Sequence, residues 1–208
     1  MSLENKEKTD ALIINDRVQS ALTYSEYRDL VSELAGNGAT TGLEQKESLI
    51  EYTLLNNRRM ARWDKTLKIP VEVTKKIKAL NRKVLWLVLT ESWCGDASPA
   101  LPVMNKLSEI NPNIDLKILL RDENLELMDR FLTNGSRSIP KLIVVDKQTE
   151  EVIGEWGPRP SVATKMAENY KKEHGVLTPE FKQDLQVWYN KNKGQNILKD
   201  LVQLLALK

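Results

Sequence analysis

The chain has 208 residues, a net charge of +2 and 41% hydrophobic residues, a balance that suits one globular domain with extensions. No run approaches the roughly 18 apolar residues that a membrane-spanning helix needs, so no membrane contact is expected. A single cysteine excludes any disulfide within the chain, and the polar start Met1–Asp10, which lacks the apolar segment of a signal peptide, points to the cytoplasm.

Ser25 to Leu34 reads as a short helix, and the glycine-rich stretch 35–42 as a linker. A longer helix is predicted from about 44 to 66, because Leu49, Tyr52, Thr53, Asn56, Met60 and Trp63 recur on one face. That face is expected to pack on a sheet or on a second subunit. Residues 58–83 hold ten basic side chains against Asp64 and Glu72. No aromatic stacking motif accompanies them and the whole-chain charge is small, so they read as solvated helix faces and no nucleic-acid partner is expected.

Val84 to Leu89 is continuously apolar and too short for a helix, the pattern of a strand buried on both faces. The run Thr90-Glu91-Ser92-Trp93-Cys94-Gly95-Asp96-Ala97 follows. Ala100, Val103, Met104 and Leu107 then show helical spacing, with Pro99 and Pro102 near the start, where a missing N–H costs least. A second strand is predicted around Ile114–Leu120, and a helix through Leu125, Met128, Phe131 and Leu132 closing at Asn134-Gly135. Strands over 141–146 and 152–156 are joined by a polar turn, and a helix runs from about Ser161 to Lys172. Thr178-Pro179-Glu180 opens a helix carrying Phe181, Leu185 and Trp188, and a break at 191–195 precedes a last amphipathic helix through Ile197, Leu201 and Leu205.

Trp93-Cys94-Gly95 after a buried strand resembles the thioredoxin active-site turn W-C-G-P-C. Ser138-Ile139-Pro140 followed by Lys141-Leu142-Ile143-Val144-Val145 is similar to the family's cis-proline loop, 46 residues beyond the cysteine. The resemblance covers roughly residues 72–172. It implies an α/β thioredoxin fold, a mixed sheet flanked by helices, to which the helical readings at either end add extensions over 1–71 and 173–208. It further implies a cis Pro140 against Cys94, and an Ile139 backbone that pairs with a bound peptide or thiol. The site residues it implies are Cys94 as the reactive group, the turn Trp93, Gly95, Asp96 and Ala97, and Ile139 with Pro140 for binding. In that fold the rigid loop Trp156-Gly157-Pro158-Arg159-Pro160 is expected to lie away from Cys94, unless the N-terminal helices bridge the two, and to serve as scaffold.

Cys94 sits at a helix N-terminus, where unpaired N–H groups and the helix dipole can draw a thiol well below its free pKa of roughly 8.5. Asp96 cuts both ways, since an anion favours the first helical turn but opposes a neighbouring thiolate. Ser98 reads as a helix-end residue rather than a partner of the sulfur. Arg58, Arg59 or Arg62 is placed to reach the turn and to stabilise a thiolate or the carboxylates of a thiol peptide. Ala97 stands where the family has its resolving cysteine, and Val88 where it has a buried carboxylate. His174, the only histidine, reads as structural or solvated, and one histidine with one cysteine makes no zinc site.

These features support thiol–disulfide exchange through a single cysteine, resolved by a low-molecular-weight thiol or a thiol-containing protein. The alternative is a redox-inactive thioredoxin-fold binding module. Iron–sulfur sharing between subunits, as in monothiol glutaredoxins, fits less well because the turn lacks their C-G-F-S. A peroxiredoxin is excluded because Thr90 lies four residues before the cysteine rather than three. No motif calls for a cofactor.

Overall fold

A computed structural model describes residues 3–206, with side chains from 10 to 205; Met1 and Ser2 of the polar start lie outside them. The centre is strand β1 (Val84–Thr90), buried at every position. It pairs in parallel with β2 (Ile114–Leu120) and antiparallel with β3 (Lys141–Asp146), which carries the antiparallel edge strand β4 (Val152–Trp156), in the order β2-β1-β3-β4. A strand covered on both faces has no polar side, which is why Trp86, Leu87 and Val88 are all fully buried. At the open edge, Leu22 and Ile118 exchange two backbone hydrogen bonds of 2.8 Å and close off part of β2.

Two neighbouring parallel strands need a crossover. Helix α5 (Ala97–Ile110) supplies it between β1 and β2. Pro99 lies in its first turn as expected. Pro102 lies deeper, inside the helix, so the helix-start reading does not hold for it; its ring forgoes the bond to the Ser98 carbonyl.

Around this centre, α2 (Tyr24–Gly36) packs on α3 (Glu47–Thr66), and α3 packs on α5. Helix α4 (Val71–Lys78) meets α5 and α9 (Gln195–Ala206), and α9 also covers β4, where Gly154 lets Leu204 approach. Helix α1 (Leu3–Val18) lies against β2 and α6 (Leu125–Arg130). Helices α7 (Ser161–His174) and α8 (Pro179–Asn192) complete the described elements. Neither α1 nor α4 is predicted from the sequence: α1 offers little apolar periodicity and α4 spans only eight residues. Helix α6 stops at Arg130, short of Asn134-Gly135. Thr133 and Ser136 pair their backbones across those two residues, both at positive φ as in a type I′ turn.

On α3 the predicted face divides. Thr53, Asn56, Met60 and Trp63 are buried, whereas Tyr52 remains 37% exposed at the molecular surface.

Candidate active-site turn and its cleft

Beyond Thr90 the backbone turns from the sheet into α5. The N–H of Cys94 donates to the Glu91 carbonyl at 3.1 Å, and Asp96 takes the N-cap position without capping through its side chain. Cys94 is only 6% exposed, and its thiol donates to the Ile139 carbonyl at 3.3 Å. The Ile139–Pro140 peptide is cis. Cys94, Ile139 and Pro140 therefore meet in space, with Ala97 buried behind the turn. The Trp93 ring lies under the Arg121 guanidinium, 5.0 Å from its centroid. Ser98 donates to the Gly95 carbonyl at 2.9 Å, the helix-end role read from the sequence.

Burial pushes the Cys94 thiol up to about 12, and the neighbouring Asp96 charge adds to the rise. The N–H groups of Ala97 and Asp96 pull in the opposite direction, as does Arg159, but they lose. The expectation of a depressed thiol pKa at the helix N-terminus is thus overturned. The favourable dipole is present, yet desolvation of a thiolate at this depth outweighs it.

Asp96 is itself partly buried, its side chain 11% exposed. An Arg159 Nη2 lies 2.8 Å from its carboxylate, and the Tyr189 hydroxyl donates to it at 3.0 Å. Burial raises the Asp96 carboxyl while Arg159 and Tyr189 pull it down. Burial, then the Asp96 charge, holds the Tyr189 phenol well above its ordinary range. The scaffold reading of the 156–160 loop is corrected here, because Arg159 reaches over the turn. Gly157 has φ +116, and a Cβ there would stand 2.1 Å from the Pro140 carbonyl oxygen. Only glycine permits so close an approach. Tyr189 and Gln186, whose amide donates to the Gly95 carbonyl at 3.2 Å, are further site residues that the sequence reading missed. Their positions on α8 carry no local signal of a partner about 90 residues away.

Helix α3 supports the turn from the other side. The Ser92 hydroxyl sits among those of Thr40, Thr41 and Thr53 at 3.1, 3.1 and 2.8 Å, all of them buried. Asn56 donates to the Ser92 carbonyl at 3.0 Å and accepts from Arg59 at 3.1 Å. Of the three arginines offered as alternatives for reaching the turn, it is Arg59 that arrives: its Nη1 lies 3.8 Å from where a Cβ on Gly95 would be. Arg62 instead bonds Asn190, and Arg58 is exposed. Glu91 is fully buried, accepts from the Asp122 N–H at 2.8 Å, and has its carboxyl raised by burial. His174 stacks near Tyr170 and faces Glu173, outside this site. Among the described residues no group of three or more His, Cys, Asp or Glu side chains gathers as a metal site, and no helix is long and apolar enough to cross a membrane.

Above the turn lies a cleft of about 620 Å³. Cys94 and Ile139 form part of its lining, α3 contributes Tyr52 and Arg59, and α8 contributes Lys182 and Gln186. A family model described as thioredoxin matches residues 42–171, well over half of the sequence.

The chain belongs to the thioredoxin family.

In this chain the match begins ahead of α3, so the helix that supports the turn falls inside the matched region. Two solved structures share its fold. One is a protein of unknown function from Pseudomonas aeruginosa, 20% identical, with a TM-score of 0.58 over 89% of this chain and 98% of that one. The other is an HIV epitope-scaffold, 18% identical, with the same TM-score and coverage. A comparison with curated proteins gives no match.

Proposed function

We propose that this thioredoxin-family protein is a binding module that holds Cys94 as a neutral thiol beside a ligand cleft. The supporting observation is the setting of the sulfur: buried, donating to the Ile139 carbonyl, and next to the Asp96 carboxylate. The family resemblance would have the backbone at Ile139 pair with a bound peptide or thiol, and here Cys94 itself occupies that carbonyl. Ala97 in place of a resolving cysteine fits the same reading, since no second thiol exists to complete a dithiol cycle.

A second reading is favoured by the position of Cys94 in the lining of the cleft, with Arg59 and Arg159 at hand. In it the Cys94 thiolate attacks a disulfide, forms a mixed disulfide and expels one thiolate. A low-molecular-weight thiol or a thiol-containing protein in a reducing compartment such as the cytoplasm then attacks the mixed disulfide and frees Cys94.

The pH dependence of iodoacetamide alkylation separates the two. With a thiol pushed up to about 12, labelling at pH 8 is expected to run roughly a thousand-fold slower in the folded protein than in the denatured one, whose thiol has its free value. Rapid labelling with a kinetic pKa below that of the denatured chain would replace the binding-module reading with single-thiol exchange.

A further inference from the structure

The cleft over Cys94 holds more positive than negative charge. Arg59, Arg159 and Lys182 line it against a single carboxylate, Asp96, which Arg159 already engages. Among the described residues Arg59 and Lys182 make no ion pair; the Arg59 side chain bonds only the neutral Asn56 amide. Burial also lowers the Arg59 pKa, and the opposing attraction of Asp96, which Arg159 already engages, does not offset the lost water. The Nη1 of Arg59 and the Nε2 of Gln186 lie 3.8 and 3.7 Å from the same point, the Cβ position on Gly95. Lys182 lies one helical turn before Gln186 and so shares its face of α8. Apolar surface adjoins these donors: Leu49 lines the same cleft beside Tyr52 and Leu55, which are 37% and 40% exposed.

We propose that the cleft takes a small organic acid, whose carboxylates are held by Arg59 and Lys182 and whose apolar body rests on Leu49, Tyr52 and Leu55. This rests on the reading of the cleft as a binding site. A planar guanidinium that is partly desolvated matches a carboxylate through paired hydrogen bonds, and the match returns the solvation it has lost. The volume of about 620 Å³ lies within the range of small-molecule pockets. The neighbouring apolar side chains favour an acid with a hydrocarbon part over a bare inorganic anion.

Benzylsuccinate carries two carboxylates and a phenyl ring and has no thiol, so its binding is read independently of sulfur chemistry. In a titration of ¹⁵N-labelled full-length protein, it is expected to shift the Gly95 amide, the Trp93 indole and the Gln186 side-chain amide. The uncharged diamide of the same compound should bind about ten-fold more weakly or worse, as should Arg59→Gln and Lys182→Gln, while Arg59→Lys recovers part of the loss. Lys182 is exposed, so its variant tests the charge without disturbing the core. Equal binding of the diamide, or undiminished binding by both Gln variants, overturns the selection for an acid and leaves an apolar binding cleft standing. No response to benzylsuccinate at about 10 mM, or a response only to an acidic peptide, overturns the small-acid assignment. Alkylation of Cys94 reports separately on the state of the thiol.

Discussion

At Cys94 two opposing effects of comparable kind meet, and depth decides between them. The first turn of α5 offers N–H groups to a thiolate, but the sulfur is buried and Asp96 lies beside it. Replacing Asp96 by Asn removes one of the two causes that raise the thiol, so the alkylation midpoint should move downward while burial keeps it above the free value of roughly 8.5. The same substitution leaves Arg159 without its counter-charge. Arg159 is a quarter exposed, so the expected loss is roughly 2–4 kcal/mol, at or below the usual cost of breaking a buried pair. Urea unfolding reads the second effect, and the pH midpoint of alkylation, rather than its rate at one pH, reads the first. A midpoint in Asp96→Asn identical to that of the parent would show that the carboxylate does not control the sulfur.

At the scale of elements, the parts best legible in the sequence are those whose residues report their own environment. β1 has no polar face because both of its faces are covered, and β3 and β4 are bounded by a polar turn. The Cys94 and Pro140 loops are marked by short motifs. What was not legible depends on distant contacts. Nothing between Trp156 and Pro160 signals that Arg159 will meet Asp96, and nothing on α8 signals that Tyr189 and Gln186 will reach the turn. Gly157 makes the first of these contacts geometrically possible. A methyl group there would meet the Pro140 carbonyl oxygen at 2.1 Å, from a backbone at φ +116 that L residues avoid. Gly157→Ala is therefore expected to cost roughly 2–4 kcal/mol and to loosen Arg159 from Asp96. Its thermal unfolding compared with Gly154→Ala, which would meet only the movable end of Leu204, checks this. Equal and small effects at both positions would mean that the 156–160 loop is not tied to the proline loop as described.

Across the whole molecule, helices outside the βαβ and ββ core hold neutral acids away from water, Tyr27 and Tyr189 beside the turn and Tyr24 against Asp64 farther along α3. Tyr27 of α2 is fully buried; Tyr24 of α2 donates to Asp64 of α3 at 2.6 Å; Tyr189 of α8 donates to Asp96. Burial raises all three phenols, as it does the Cys94 thiol. Each group keeps its proton in the folded state at pH values where the unfolded chain releases it, so the unfolded state gains stability as pH rises. Stability should therefore hold to about pH 8 and then fall by about 1.4 kcal/mol per pH unit as the unfolded thiol ionises near 8.5. It should fall by about 5 kcal/mol per unit once the unfolded tyrosines join near pH 10. Thermal unfolding between pH 7 and 11 reads the slope, and Cys94→Ala separates its parts. In that variant the early decline disappears and the steep one remains. A melting temperature unchanged from pH 8 to 11 would mean that these four groups meet solvent freely, and with that the enclosure of Cys94 by α2, α3 and α8 would fail as the cause of its quiescence.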